Sequence, residues 1–142
     1  MLNHHIVWIE DDHDVLDPVI TPLVKDGMAF TKLRSYNQAI EHIEELRTCS
    51  LIILDIVLPP GEGSLEPKYE SNGHYIGTSL LRELREDHKI STPILIFSVV
   101  ADAPEVAERV REFIDGEDIN VRLISKPIRP SELKQEVLDL LT

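Results

Sequence analysis

LIILDIVLPPG, Leu51–Gly61, is the stretch on which the fold turns. Leu51 to Leu54 is an unbroken apolar run that stops at a Pro/Gly-rich segment, the signature of a strand covered on both faces. Such strands belong to parallel sheets, whose crossover helices bury both sides. Asp55 then places a lone carboxylate at the edge of the core, which costs free energy unless the charge is paired or used.

Working outward, four further short apolar runs predict strands over Ile6–Ile9, Ala29–Leu33, Ile94–Phe97 and Val121–Ile124. Helical patterns separate them. Ser35-x-x-Gln38 has capping-box spacing and precedes Ala39, Ile40, Ile43 and Leu46 at helical intervals, predicting one helix there. Leu80, Leu81 and Leu84 predict another, Val106, Ala107, Val110, Phe113 and Ile114 the next, and Leu133, Val137, Leu138 and Leu141 a last one opened by Pro130. A first helix over about Asp14–Asp26 contains Pro18 and Pro22, so a short or kinked helix is expected, with Asp17 as a candidate cap. Alternating strands and helices predict an α/β fold with a parallel sheet and helices on both faces.

Ligands of open parallel sheets bind beyond the carboxyl ends of the strands. Those ends carry Glu10-Asp11-Asp12, Asp55, Ser98 and Ser125-Lys126-Pro127. Clustered carboxylates repel one another and call for a cation, and a few hard oxygen ligands favour Mg²⁺ with phosphate completing its shell. A carboxylate nucleophile beside Mg²⁺, an ammonium and a hydroxyl is suited to accept a phosphoryl group. Each residue has an ordinary structural reading as cap, turn or loop residue; their coincidence at successive strand ends is the signal.

In these blocks the chain resembles the receiver domain of two-component response regulators. "IVWIEDDHDVL" is similar to the family's first strand and acidic pocket, "LIILDIVLP" to its phosphoacceptor strand, "ILIFS" to its hydroxyl-bearing strand and "LISKPI" to its lysine-proline signature. The resemblance implies a flavodoxin-like five-stranded parallel sheet of order 2-1-3-4-5. It implies Asp55 as phosphoacceptor, Asp11 as a Mg²⁺ ligand, Glu10 as holder of metal-bound water and the Val57 carbonyl as a further ligand. Ser98 and Lys126 would contact phosphoryl oxygens, the Lys126–Pro127 bond would be cis, and Asp12 would be a helix cap. The implied phosphodonor is a histidine kinase or a histidine phosphotransfer protein, and the implied output is a protein target.

Three departures stand out. Leu123 occupies the position of the family's aromatic switch. Gly77 matches the family's glycine at the start of the third helix, so the segment from Asp55 spans 77 − 55 = 22 positions. That is longer than receivers ordinarily use, and its Glu62, Glu66, Tyr69 and Glu70 suggest either a partner-recognition lid or a tolerated surface excursion within Pro59–Gly73. The segment from Ser98 to Lys126 is also long, and the helix it contains belongs to the family's usual output face.

The 142 residues fit one domain, read as a single receiver domain over 1–142 with no effector domain after Thr142. A net charge of −12 disfavours direct nucleic-acid or anionic-membrane binding, no apolar stretch approaches a bilayer span, and the N-terminus has no signal-peptide pattern. The lone Cys49 reads as a small buried residue and suits a reducing cytoplasm. No histidine has ligand spacing. Two other functions compete: a degenerate receiver serving as a phosphorylation-independent scaffold, and a Mg²⁺-dependent phosphohydrolase. The second usually carries a carboxylate two residues past its nucleophile, where this chain has Val57. Flavin binding is disfavoured by an acidic first loop.

Overall fold

The computed structural model describes residues 4–63, 65–69, 75–115 and 120–142, and no side chains for residues 113–115. Five strands, β1 (His5–Ile9), β2 (Ala29–Leu33), β3 (Leu51–Leu54), β4 (Ile94–Ser98) and β5 (Val121–Ser125), form one parallel sheet of order β2-β1-β3-β4-β5. The flavodoxin-like order 2-1-3-4-5 is therefore present, and each predicted strand lies within one residue of its observed bounds. Among the described residues six α-helices accompany them: α1 (His13–Lys25), α2 (Tyr36–Glu41), α3 (Ile43–Thr48), α4 (Ile76–Arg82), α5 (Pro104–Asp115) and α6 (Pro130–Leu141).

The period of two along each strand sorts the core into two layers. Ile6, Trp8, Ile53, Leu95 and Phe97 face α1 and α6, meeting Ile20, Leu23, Leu133 and Val137. Val7, Ile9, Ile52, Leu54, Ile94 and Ile96 face α2 to α5, meeting Ala39, Leu46, Leu80 and Val106. Every residue of β3 is buried, as its apolar run requires. Cys49 is buried as well, and desolvation pushes its thiol up to about 11.

Two helices depart from expectation. α1 runs its full 13 residues through Pro18 and Pro22, with Asp12, not Asp17, at the N-cap and no side-chain capping bond. The prolines are four apart, so they share a face; Pro18 is exposed and Pro22 only half-buried, so water can satisfy the carbonyls they leave unpaired. The helix expected over Ala39–Leu46 is two helices. Ser35 Oγ caps Gln38 N as predicted, while Gln38 Oε1 accepts from Arg34 N rather than from the cap residue itself. His42 ends α2 because its Nδ1 donates to the Gln38 carbonyl at 2.7 Å, taking the acceptor that its own backbone N–H would use. α4 continues as a π-helical turn over Glu83–Asp87, closed by His88 N donating to Glu83 O at 3.0 Å. α5 and α6 form where expected, α6 with Pro130 in its first turn; the side chains of Phe113 and Ile114 lie outside the described residues.

The described residues between Leu54 and Ile76 form no helix or strand, yet they are tied down. Tyr36 N and Asn37 N donate to the Pro59 and Pro60 carbonyls at 3.0 Å each. The buried Asn37 side chain donates to Leu65 O and accepts from Leu65 N, both at 3.1 Å. Of the residues singled out in this segment, Glu62 is exposed, Glu66 offers its carbonyl to the Tyr36 hydroxyl at 3.3 Å, and Tyr69 donates to Asp87 at 2.8 Å. Glu70 and Gly73 lie outside the described residues.

Candidate functional site

The sheet register brings the site together. Ile9 pairs with Leu54, Leu54 with Ile96, and Ser98 with Ser125, so the strands end on one rim. Backbone bonds continue the ladder beyond them: Asp55 N donates to Ile9 O at 3.0 Å and Lys126 N to Ser98 O at 3.1 Å. Glu10, Asp55, Ser98 and Lys126 thereby converge from β1, β3, β4 and β5.

Asp55 is 5% exposed, and both of its oxygens are engaged. Oδ1 accepts from Ser98 Oγ at 2.6 Å and from Val57 N at 3.1 Å, while Oδ2 accepts from Lys126 Nζ at 3.2 Å. Lys126 also donates to both Glu10 oxygens at 3.0 Å, and its ammonium lies 5.3 Å from the centre of the Phe97 ring. The Lys126–Pro127 bond is cis. Val57 itself is exposed, so its side chain places nothing polar beside the carboxylate.

Ligand atoms of Glu10, Asp11 and Asp55 all lie within 4.8 Å of one another. Glu10 and Asp55 are buried and Asp11 is exposed, which leaves one side of the cluster open to solvent. Three hard oxygen donors so placed fit Mg²⁺, which takes few protein ligands and keeps water or phosphate on the rest. Burial pushes the Glu10 carboxyl up; the Asp55 carboxylate adds to this and the Lys126 ammonium opposes it. One ammonium thus serves two buried carboxylates, a charge arrangement that a divalent cation would complete.

Other placements qualify the reading. Asp12 stands at the N-cap of α1 without a side-chain bond. Leu123 is half-buried against the α2–α5 layer. His13 is fully buried, with Nε2 donating to Trp8 O at 3.1 Å and its ring edge-on to Trp8.

Two residues of the site were not drawn out by the sequence. Gly77 N donates to Ile56 O at 3.0 Å, and a Cβ there would collide with the backbone of Asp55 and Ile56. Its motif match was visible, but not that contact. Arg34, at the carboxyl end of β2, donates to Asp11 O at 3.3 Å; the strand-end criterion applied to the other strands would have found it.

No protein-family model matches the chain, and no curated protein does. Solved structures do. A CheY-like response regulator receiver domain protein from Methanospirillum hungatei JF-1 aligns with a TM-score of 0.71 at 19% identity, covering 99% of this chain and 94% of that one. The receiver domain of a Francisella response regulator gives 0.67 at 22% identity over 98% and 97% of the two chains. The signal receiver domain of a Luxo repressor protein from Vibrio parahaemolyticus gives 0.68 at 18% identity over 99% and 91%. With sheet order and overall superposition in agreement, this chain has the fold of the CheY-like response-regulator receiver domains.

Proposed function

We propose that the protein is a Mg²⁺-dependent phosphoacceptor of a two-component phosphorelay, taking a phosphoryl group from a phosphohistidine onto Asp55. The observation that carries this is the engagement of the buried Asp55 by Ser98 and Lys126 beside the Glu10 and Asp11 carboxylates. Glu10, Asp11 and Asp55, with the Val57 carbonyl, would hold Mg²⁺, which supplies charge neutralisation for the transferred oxygens.

An Asp55 oxygen forms the new bond to phosphorus as the P–N bond breaks and its electron pair leaves on the donor imidazole. Lys126 and Ser98, which bond the Asp55 carboxylate, would take the phosphoryl oxygens. The apolar Val57 side chain offers no general acid for turnover, so the protein transforms only itself and is not an enzyme in the ordinary sense. The donor is a histidine kinase or histidine phosphotransfer protein. Added charge at Asp55 then biases a protein-binding surface toward a downstream target. None of the described helices is long and apolar enough to cross a membrane; a cytoplasmic location suits the proposed relay.

The test is incubation with a small phosphodonor and Mg²⁺, read by intact mass. One phosphoryl group per chain, lost with chelator and absent from Asp55→Asn, is expected. Undiminished labelling of Asp55→Asn overturns the assignment.

A further inference from the structure

The inference that follows rests on the phosphoacceptor reading. A cavity of about 580 Å³ adjoins the acidic pocket, with Asp11, Arg34, Glu41, Gly61 and Glu62 on its walls. Any donor whose phosphoryl group reaches Asp55 must leave the rest of itself in solvent-accessible space, and this cavity is such a space beside Asp11. Its walls carry three carboxylates and one cation. Lys126, the other cation of the rim, is 9% exposed and committed to Glu10 and Asp55.

Arg34 is held loosely. Its guanidinium donates to Asp11 O at 3.3 Å and lies 3.6 Å from Asp14, in a pair whose side chains are 50% and 89% exposed. Exposed pairs of that kind contribute little, so Arg34 can turn to an incoming anion at small cost. A guanidinium also matches a carboxylate with two parallel N–H donors, which an ammonium cannot do.

We propose that Arg34 is a donor-binding residue that favours phosphodonors whose leaving group departs as a carboxylate. With an acyl phosphate, an Asp55 oxygen bonds to phosphorus, the P–O bond to the acyl oxygen breaks, and the electron pair leaves on the carboxylate that Arg34 meets. With phosphoramidate, the nitrogen already carries the extra proton, the P–N bond breaks, and neutral ammonia leaves. Arg34 has no charge to stabilise there.

The experiment compares acetyl phosphate with phosphoramidate at saturating Mg²⁺ on wild type, Arg34→Met and Arg34→Lys, with Mg²⁺ affinity followed by Trp8 fluorescence. Arg34→Met should lower the second-order rate for acetyl phosphate by about five- to tenfold, the scale of one charge-assisted contact at an open site. Arg34→Lys should fall between, and neither the phosphoramidate rate nor Mg²⁺ affinity should change by more than about twofold. An equal loss with both donors, a parallel loss of Mg²⁺ affinity, or an unchanged acetyl phosphate rate overturns the proposal. Wild type that accepts a phosphoryl group from neither donor overturns the phosphoacceptor reading itself, and the role of Arg34 with it.

Discussion

Replacing Lys126 with Met tests the charge balance of the site directly. Among the described residues the ammonium is the one cation bonded to Glu10 and Asp55, which are 2% and 5% exposed. Removing one partner of a buried ion pair costs about 3–5 kcal/mol because the remaining charge stays buried and unpaired. Here two carboxylates remain, and sharing a proton softens the loss, so about 3 kcal/mol is expected in metal-free buffer at neutral pH. For a chain of 142 residues that corresponds to a fall in Tm of roughly 6–12 °C. Mg²⁺ should reverse the effect, since it no longer competes with an ammonium; at about a hundred times its Kd it returns some 2.7 kcal/mol. Urea unfolding followed by Trp8, which is 1% exposed, measures both arms. An equal deficit with and without Mg²⁺, or weaker Mg²⁺ binding by Lys126→Met, would refute the reasoning.

Other expectations are narrower. Burial holds the His13 imidazole below its ordinary pKa, so the unfolded chain binds its proton first. His13 therefore contributes stability that is present above pH 6.5 and is lost as pH falls through its lower folded value; His13→Phe should flatten that acid limb in unfolding titrations, and an unchanged slope counts against it. Gly77→Ala should cost about 1–3 kcal/mol and slow labelling of Asp55, because the new Cβ pushes on the Asp55–Ile56 backbone; wild-type stability and labelling rate together would show that the contact does not matter. Tyr36→Phe removes a 2.6 Å bond to the buried Glu83 carboxylate and should cost roughly 1.5–3 kcal/mol, measured by denaturant unfolding. With Val57 exposed and Val100 half-buried beyond the site, neither offers a polar handle to water, so phosphorylated protein should lose its label slowly; a lifetime of seconds would contradict this.

The strands and the rim were legible in the chain because their signals are local. Leu51–Leu54 reads as a strand buried on both sides, Glu10, Asp55 and Ser98 each stand one step past an apolar run and Lys126 two steps past Ile124, so their convergence follows once the strands are parallel neighbours. What escaped was set by contacts distant in sequence or by side chains acting on the backbone. The break between α2 and α3 comes from one imidazole reaching the Gln38 carbonyl, against an apolar period that runs on through Ile43 and Leu46. The passage of α1 through two prolines depended on which face the packing turned outward.

The same division holds for the residues after Asp55. By itself the sequence determined that Asp55 ends a buried strand, that acidic residues end its neighbour, and that a parallel sheet carries them, because apolar periodicity and strand-end chemistry are written in consecutive residues. Only the tertiary structure decided that the Pro59–Tyr69 residues it describes are bonded to Tyr36, Asn37 and Ser79, and that Arg34 faces a cavity beside Asp11. Those outcomes depend on hydrogen bonds between residues up to 30 positions apart, whose partners no local pattern announces.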